Sequence, residues 1–343
     1  MIVQDIRDYS RRELEELLPP LGEKRAHAAA LFKSLHRNGA RTIRDMAGVP
    51  EKLKDKLSPR YSITPAPVEE KQVSRLDGTI RLLFKFHDGA VAESVVLSAA
   101  GRTAACLSSQ SGCACGCAFC ATARLGLKRS LAPHEILDQF SACLRAAGGR
   151  LDSLVFMGMG EPFLNWANVK KSVLLLSDGL GRNFPQSKMT VSTVGIIPVI
   201  DELADSPLKI NLALSVITAD AGQRTALAPM EKKYPLREIL KAAGRYCAKT
   251  KRLVFLEYIL FGGLNDSLED AEKFAGLIRG LPCTVNLIPY NRSGVEDFVP
   301  AQPEKAKEFK RTLMARGIRT YLRAEKGSDI GAACGQLAAR QSD

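Results

Sequence analysis

Between Thr103 and Pro289 this chain alternates six times between short strand-like runs and helical patterns. The strand-like runs are 103–108, 153–157, 188–192, 209–216, 252–260 and 284–289. Between them, 133–147, 166–177 and 235–249 repeat apolar residues at helical spacing. Parallel strands need a crossover connection, which a helix supplies. The alternation therefore predicts an α/β fold, a partial (β/α)6 barrel of the TIM type. One more short strand is expected at 320–323.

Residues 11–57 read differently. Leu14, Leu17, Leu18, Ala28, Leu31, Phe32 and Leu35 recur at helical spacing. Pro19, Pro20 and Gly22 break the first helix, Gly39 ends a second, and Pro50 opens a third. A linker around Pro65–Pro67 follows. Two strand-like runs, 80–86 and 90–97, then flank Asp88-Gly89, a strong hairpin signal. The expected organisation is a helical accessory module at 1–62, a β-hairpin extension at 63–98, the barrel at 99–329 and a C-terminal loop at 330–343.

The unusual residues fall just after the strands. Cysteines follow the first, and Gly158-Met-Gly160-Glu161-Pro162 follows the second. Ser192-Thr-Val-Gly195 ends the third, Ser215-Val216-Ile217 the fourth, and Asn291 follows the sixth. In parallel α/β folds, ligands bind beyond the carboxyl ends of the strands. Five such segments at one end predict a ligand site there.

The cysteine stretch is Cys113-Ala-Cys-Gly-Cys-Ala-Phe-Cys120, in which Cys113, Cys117 and Cys120 have C-x3-C-x2-C spacing. A tight loop can turn three such thiolates towards one centre, and soft thiolates suit iron–sulfur clusters. Three ligands on a four-iron cluster leave one iron open to a small molecule. A four-cysteine structural zinc or cluster site, completed by Cys115 or a distant cysteine, fits the spacing as well.

Nine cysteines in 343 residues are too few for a secreted disulfide scaffold. No apolar run approaches a membrane span, and the first residues lack a secretory pattern, so a cytoplasmic protein is expected. Lys and Arg number 49 against 37 Asp and Glu, a net charge of +12. That surplus favours a polyanionic partner, and the basic third helix, with Lys52, Lys54, Lys56 and Arg60, suits either RNA docking or plain solvation. A lone glutamate on a strand, such as Glu93, ordinarily faces solvent. Cys334 lies among small residues in a reachable tail loop.

Four segments together resemble the RlmN/Cfr family of radical S-adenosylmethionine (SAM) enzymes, which methylate adenosine in RNA. They are Cys106-Leu-Ser-Ser-Gln-Ser-Gly-Cys113, the C-x3-C-x2-C loop, Phe156-Met-Gly-Met-Gly-Glu-Pro162 and Ala332-Ala-Cys-Gly-Gln-Leu337. The resemblance spans almost the whole chain and implies a radical SAM barrel. It implies that Cys113, Cys117 and Cys120 hold a [4Fe-4S] cluster whose open iron binds SAM. One electron from that cluster would cleave SAM to a 5′-deoxyadenosyl radical. A separate SAM would first methylate Cys334, and the radical would then abstract hydrogen from that methyl group, whose carbon adds to adenine. Glu93 matches the family's proton acceptor. Cys106 would free the product from Cys334, leaving a transient disulfide.

The SAM contacts implied in the same way are Gly160, Glu161, Ser192, Ser215, Val216, Ile217 and Asn291. The implied substrate is 23S ribosomal RNA, methylated at adenine C2 in preference to C8, with transfer RNA as a second. A flavodoxin-type electron donor and a monomeric chain are expected. The sequence departs from the family's pattern where Val216-Ile217 replaces Leu-His, where Arg292 replaces Pro, and where Val194 replaces a small polar residue. These departures line the expected SAM and substrate mouth.

Overall fold

The computed structural model describes residues 4–294 and 298–338. Its centre is one ten-stranded sheet whose spatial order is the chain order. Strands β1 (Val68–Val73), β2 (Ile80–Lys85), β3 (Val91–Ala99) and β4 (Arg102–Cys106) form an antiparallel meander. From β4 onward every neighbour is parallel. These strands are β5 (Ser153–Phe156), β6 (Met189–Thr193), β7 (Asn211–Ile217), β8 (Val254–Leu260), β9 (Cys283–Pro289) and β10 (Thr320–Leu322). The edges β1 and β10 do not pair, so the barrel is partial.

Helices make the crossovers. They are α4 (Pro133–Ala146), α5 (Trp166–Ser177), α6 (Ile197–Asp205), α7 (Ala221–Leu227), α8 (Leu236–Thr250), α9 (Leu268–Leu277) and α10 (Pro303–Ala315), numbered after three N-terminal ones. The sequence explains the division of labour. Strand β8 reads Val-Phe-Leu-Glu-Tyr-Ile-Leu, the near-continuous apolar run of a strand covered on both faces. Helix α8 instead buries Leu236, Ile239, Leu240, Ala243, Tyr246 and Cys247, one stripe at helical spacing.

The N-terminal module holds α1 (Arg11–Leu17), α2 (His27–His36) and α3 (Glu51–Leu57). Ser10 caps α1 with Glu13 in a reciprocal box. Leu14, Leu18, Leu31, Phe32, Leu35, Leu53 and Leu57 are buried, as the spacing predicts for the first five. The buried Arg7 ties this module to the barrel, with Nη1 donating to Asp138 Oδ1 at 2.6 Å and Nη2 to Asp5 Oδ2 at 2.7 Å. Buried apolar residues of both parts form one continuous core.

Two features differ from the sequence reading. The hairpin around Asp88-Gly89 is present but shares the barrel's sheet through β3 and β4. Strand β1 begins directly after Pro67, where only a linker is expected. Among the described residues no helix is long and apolar enough to cross a membrane.

Candidate active site

Cys113, Cys117 and Cys120 lie on a loop between a small ribbon, Gln110–Gly112 paired with Leu127–Ser130, and a single helical turn, Ala121–Arg124. The ribbon is tight: a Cβ on Gly112 would lie 1.8 Å from the Gly126 carbonyl oxygen. The loop backbone is fastened on three sides. Cys113 N donates to Gly126 O (3.1 Å), Ala118 N to Leu227 O (2.9 Å) and Ala121 N to Gly335 O (2.8 Å).

Burial pushes the Cys117 thiol well above its usual range, and Cys120 and Cys113 add to the effect. All three cysteines belong to one packed cluster. Hydrogen bonds from the Cys115 thiol and from Cys115 N, the latter 3.5 Å from Cys113 Sγ, hold the Cys113 pKa below the usual thiol value. Phe119, Ile217, Leu227, Phe261 and Tyr290 pack around them. Three soft thiolates in an apolar, aromatic-walled recess fit an iron–sulfur cluster. Among the described residues no three His, Cys, Asp or Glu are drawn tightly enough to hold a single metal ion.

The turn after β5 closes against the segment leading into the cysteine loop. Gly160 has φ +95°, and a Cβ there would meet Gln110 atoms at 2.5–2.8 Å, its backbone nitrogen among them. Only glycine fits. Next to it, Glu161 is buried. Its carboxylate accepts from Phe163 N and Val194 N, both at 2.9 Å. Burial still dominates and raises its pKa to about 7. A buried carboxyl beside the cysteine loop can receive an ammonium group.

Ser192 is half-buried near the end of β6, and Ser215–Ile217 end β7 beside it. Here the strand bulges, with a register shift between Ser215 and Ile217. Ile217 has φ +72°. A buried β-branched residue in that region is strained by about 1–3 kcal/mol, and such strain clusters at functional sites. Asn265 Nδ2 holds the bulge by donating to Ile217 O at 3.1 Å.

The tail brings Cys334 to this mouth. Asn291 Nδ2 donates to Cys334 O (3.2 Å), Thr122 Oγ1 to Leu337 O (2.7 Å) and Gln336 Nε2 to Arg292 O (2.9 Å). The last two, with the Ala121–Gly335 bond, dock the tail on the cysteine loop and the β9 exit. Cys334 is exposed as a residue, yet desolvation raises its thiol pKa, and Glu257, Arg323 and Cys120 act on it electrostatically.

Cys106 ends β4 and is buried, with its thiol pKa driven up by burial and then by Cys334. The two thiols are near enough to act on each other electrostatically. All nine cysteines are free. Cys106 and Cys334 are therefore not joined in this structure, and the transient disulfide that the resemblance implies is not shown by it. Glu93 is fully buried on β3 rather than solvent-facing, with Arg81 Nη1 3.2 Å from Oε1. Its backbone oxygen accepts from Ser108 Oγ at 2.5 Å, two residues beyond Cys106.

The sequence reading misses three polar groups here. Arg81 gives Glu93 its partner. Glu257 on β8 is buried beside Asn286, whose Nδ2 donates to it at 2.9 Å, and burial raises its pKa to about 7. Arg224 is entirely buried beneath the ends of β6 and β7. A charged residue inside an apolar strand run could have flagged Glu257, but nothing local flags the other two. A depression of about 670 Å³, lined by Arg279, Cys283, Arg316 and Arg319, lies at the opposite ends of these strands, away from every residue above.

Comparison with known proteins follows the same lines. Residues 107–275 match the Radical SAM superfamily. A dual-specificity RNA methyltransferase RlmN of Anaeromyxobacter sp. (strain Fw109-5) is 41% identical, over 98% of this chain and 90% of the relative. A probable dual-specificity RNA methyltransferase RlmN of Bacillus subtilis (strain 168) is 37% identical, over 98% of this chain and 93% of the relative. The crystal structure of a radical SAM methyltransferase from Sphaerobacter thermophilus superposes with a TM-score of 0.92 at 39% identity, covering 98% of this chain and 100% of the other.

Proposed function

Since the chain belongs to the RlmN family of radical SAM RNA methyltransferases, we propose that it methylates a ring carbon of adenine in 23S ribosomal RNA. Adenine C2 is the preferred carbon, transfer RNA is a second substrate, and a flavodoxin-type protein is the electron donor. The observation that carries this reading is the docking of the tail on the cysteine loop. Ala121 N reaches Gly335 O at 2.8 Å, which supports a reading in which the segment carrying Cys334 works together with the cysteine loop.

In this reading Cys113, Cys117 and Cys120 hold a [4Fe-4S] cluster. With SAM bound, that centre supplies radical chemistry, which an electron-poor ring carbon needs because it is no nucleophile. The residues of the chain do the rest. Glu161 and the Gly160 turn receive the amino end of SAM, its cation favouring ionisation of a carboxyl poised near neutrality. Ser192, Ser215, Val216, Ile217 and Asn291 line its other contacts. With isoleucine at 217, that edge offers SAM an apolar side chain and backbone where the family's pattern has histidine.

Cys334 carries the methyl group, and its thiol must lose a proton to become a nucleophile. Glu93 takes a proton from the methylated base, a role suited to a buried carboxylate steadied by Arg81. Cys106 releases the product by attacking the Cys334 sulfur: the sulfur–carbon bond breaks with its electron pair staying on the product, the two cysteines join in a transient disulfide, and an external thiol reductant returns both to the free state.

The test incubates reduced, cluster-loaded protein with SAM and naked ribosomal RNA and maps the methyl group by mass spectrometry. The expected product is 2-methyladenosine. Finding 8-methyladenosine would move the reaction to the other ring carbon, and an unmodified RNA would refute the reading.

A further inference from the structure

Arg224 takes no part in the chemistry above, yet among the described residues it is the largest side chain that is fully enclosed. It sits on α7 and reaches back under two neighbouring strand ends. Its Nε donates to Val216 O at 3.0 Å, and its Nη2 to Val194 O at 2.9 Å and Ser215 O at 3.2 Å. Its Nη1 pairs with Glu231, whose carboxylate also accepts from Leu236 N.

One guanidinium thus gathers three backbone carbonyls, two of them inside the β7 bulge. The same short helix ends at Leu227, whose carbonyl takes Ala118 N of the cysteine loop. The bulge has one bond of its own, Thr218 N to Val216 O at 2.9 Å across Ile217, and the rest of its support comes from outside the strand. Ile217 has φ +72°, and the register slips across it. Regular β geometry would turn these carbonyls towards a neighbouring strand. Arg224 at one end and Asn265 at Ile217 O at the other oppose that relaxation.

We propose that Arg224 is a positioning residue for SAM: it fixes the strained Ser215–Ile217 segment and couples it, through α7, to the loop carrying Cys117. A planar, five-donor group suits this task, because one lysine ammonium cannot reach three carbonyls fixed in different directions. The inference rests on the reading that Ser215–Ile217 contacts SAM.

The test compares wild type with Arg224→Lys, both with reconstituted clusters. Iron content, the dissociation constant for SAM and the change that SAM makes in the reduced-cluster electron paramagnetic resonance spectrum are measured. Hydrogen exchange of the Val216 and Ile217 amides is followed in cluster-free protein.

The variant is expected to keep its iron, to bind SAM at least about tenfold more weakly, and to exchange those amides faster; KM for SAM rises more than kcat falls. Ile217→Gly accepts the left-handed φ without strain, so in that background the Arg224→Lys loss shrinks. Unchanged SAM affinity in Arg224→Lys overturns the proposal while leaving the functional reading intact. An equal loss in both backgrounds also overturns it. Wild type that fails to bind SAM refutes both. Should Arg224→Lys not fold, Asn265→Ala frees the same bulge at Ile217 O and leaves the ion pair whole. It must then weaken SAM binding severalfold, and an unchanged dissociation constant sinks the proposal.

Discussion

Glu257 shows how one residue sets a measurable pH dependence. It is a buried carboxyl with one neutral donor, Asn286, and burial raises its pKa from about 4.5 to about 7. The groups facing it are Arg323 and the Cys334 thiol. Because the folded pKa lies above the unfolded one, its stabilising effect is full below about pH 4.5 and lost as pH rises through about 7. Glutamine keeps the shape and the bond from Asn286 but cannot ionise. Glu257→Gln should therefore flatten the fall in stability between pH 5 and 7.5, by up to about 3 kcal/mol. Urea unfolding of cluster-free protein at both values measures this. An unchanged slope would show that Glu257 is not the titrating group.

Among the elements, the turns that bring the strand ends together carry the sharpest constraints. Gly160→Ala must push a Cβ into the backbone of Gln110 and hold a positive φ. A loss of about 2–4 kcal/mol in unfolding free energy is expected, with weaker SAM binding in whatever protein folds. Thr122→Val removes the buried bond to Leu337 O and should cost about 1–2 kcal/mol locally. Faster hydrogen exchange between Ala333 and Leu337, with the barrel strands unchanged, is the signature.

The parallel strands are legible in the sequence because strands covered on both faces must be apolar throughout. Strand β1 is not, because Val-Glu-Glu-Lys-Gln-Val at a sheet edge reads like any solvated stretch. The C-x3-C-x2-C loop is legible because its three cysteines are close together in the chain. Arg224, Arg81 and the true setting of Glu93 are not, because each is explained by partners brought in from another element. The tail's Cys334 is a candidate from its surroundings, but its place beside Cys106 comes from contacts spanning most of the chain.

Taken whole, the molecule is a basic protein with a net charge of +12 and a mouth at one end of a partial barrel. Binding to RNA should depend steeply on salt, since each neutralised phosphate releases counterions. Three or more phosphate contacts on unpaired RNA predict at least about a tenfold loss of affinity between 50 and 200 mM salt. Filter binding across that range measures the slope, and a flat response would mean that the charge excess faces away from the nucleic acid.

The cysteine loop near residue 120 takes backbone partners at Gly335 and Leu337, the latter 215 residues further along the chain than Thr122. One proteolytic cut through that distant segment would uncover the three cysteines while the ten-stranded sheet stays whole. The shelter of the reactive centre is thus a separable part of the molecule, lost or restored independently of the scaffold that carries the cysteines.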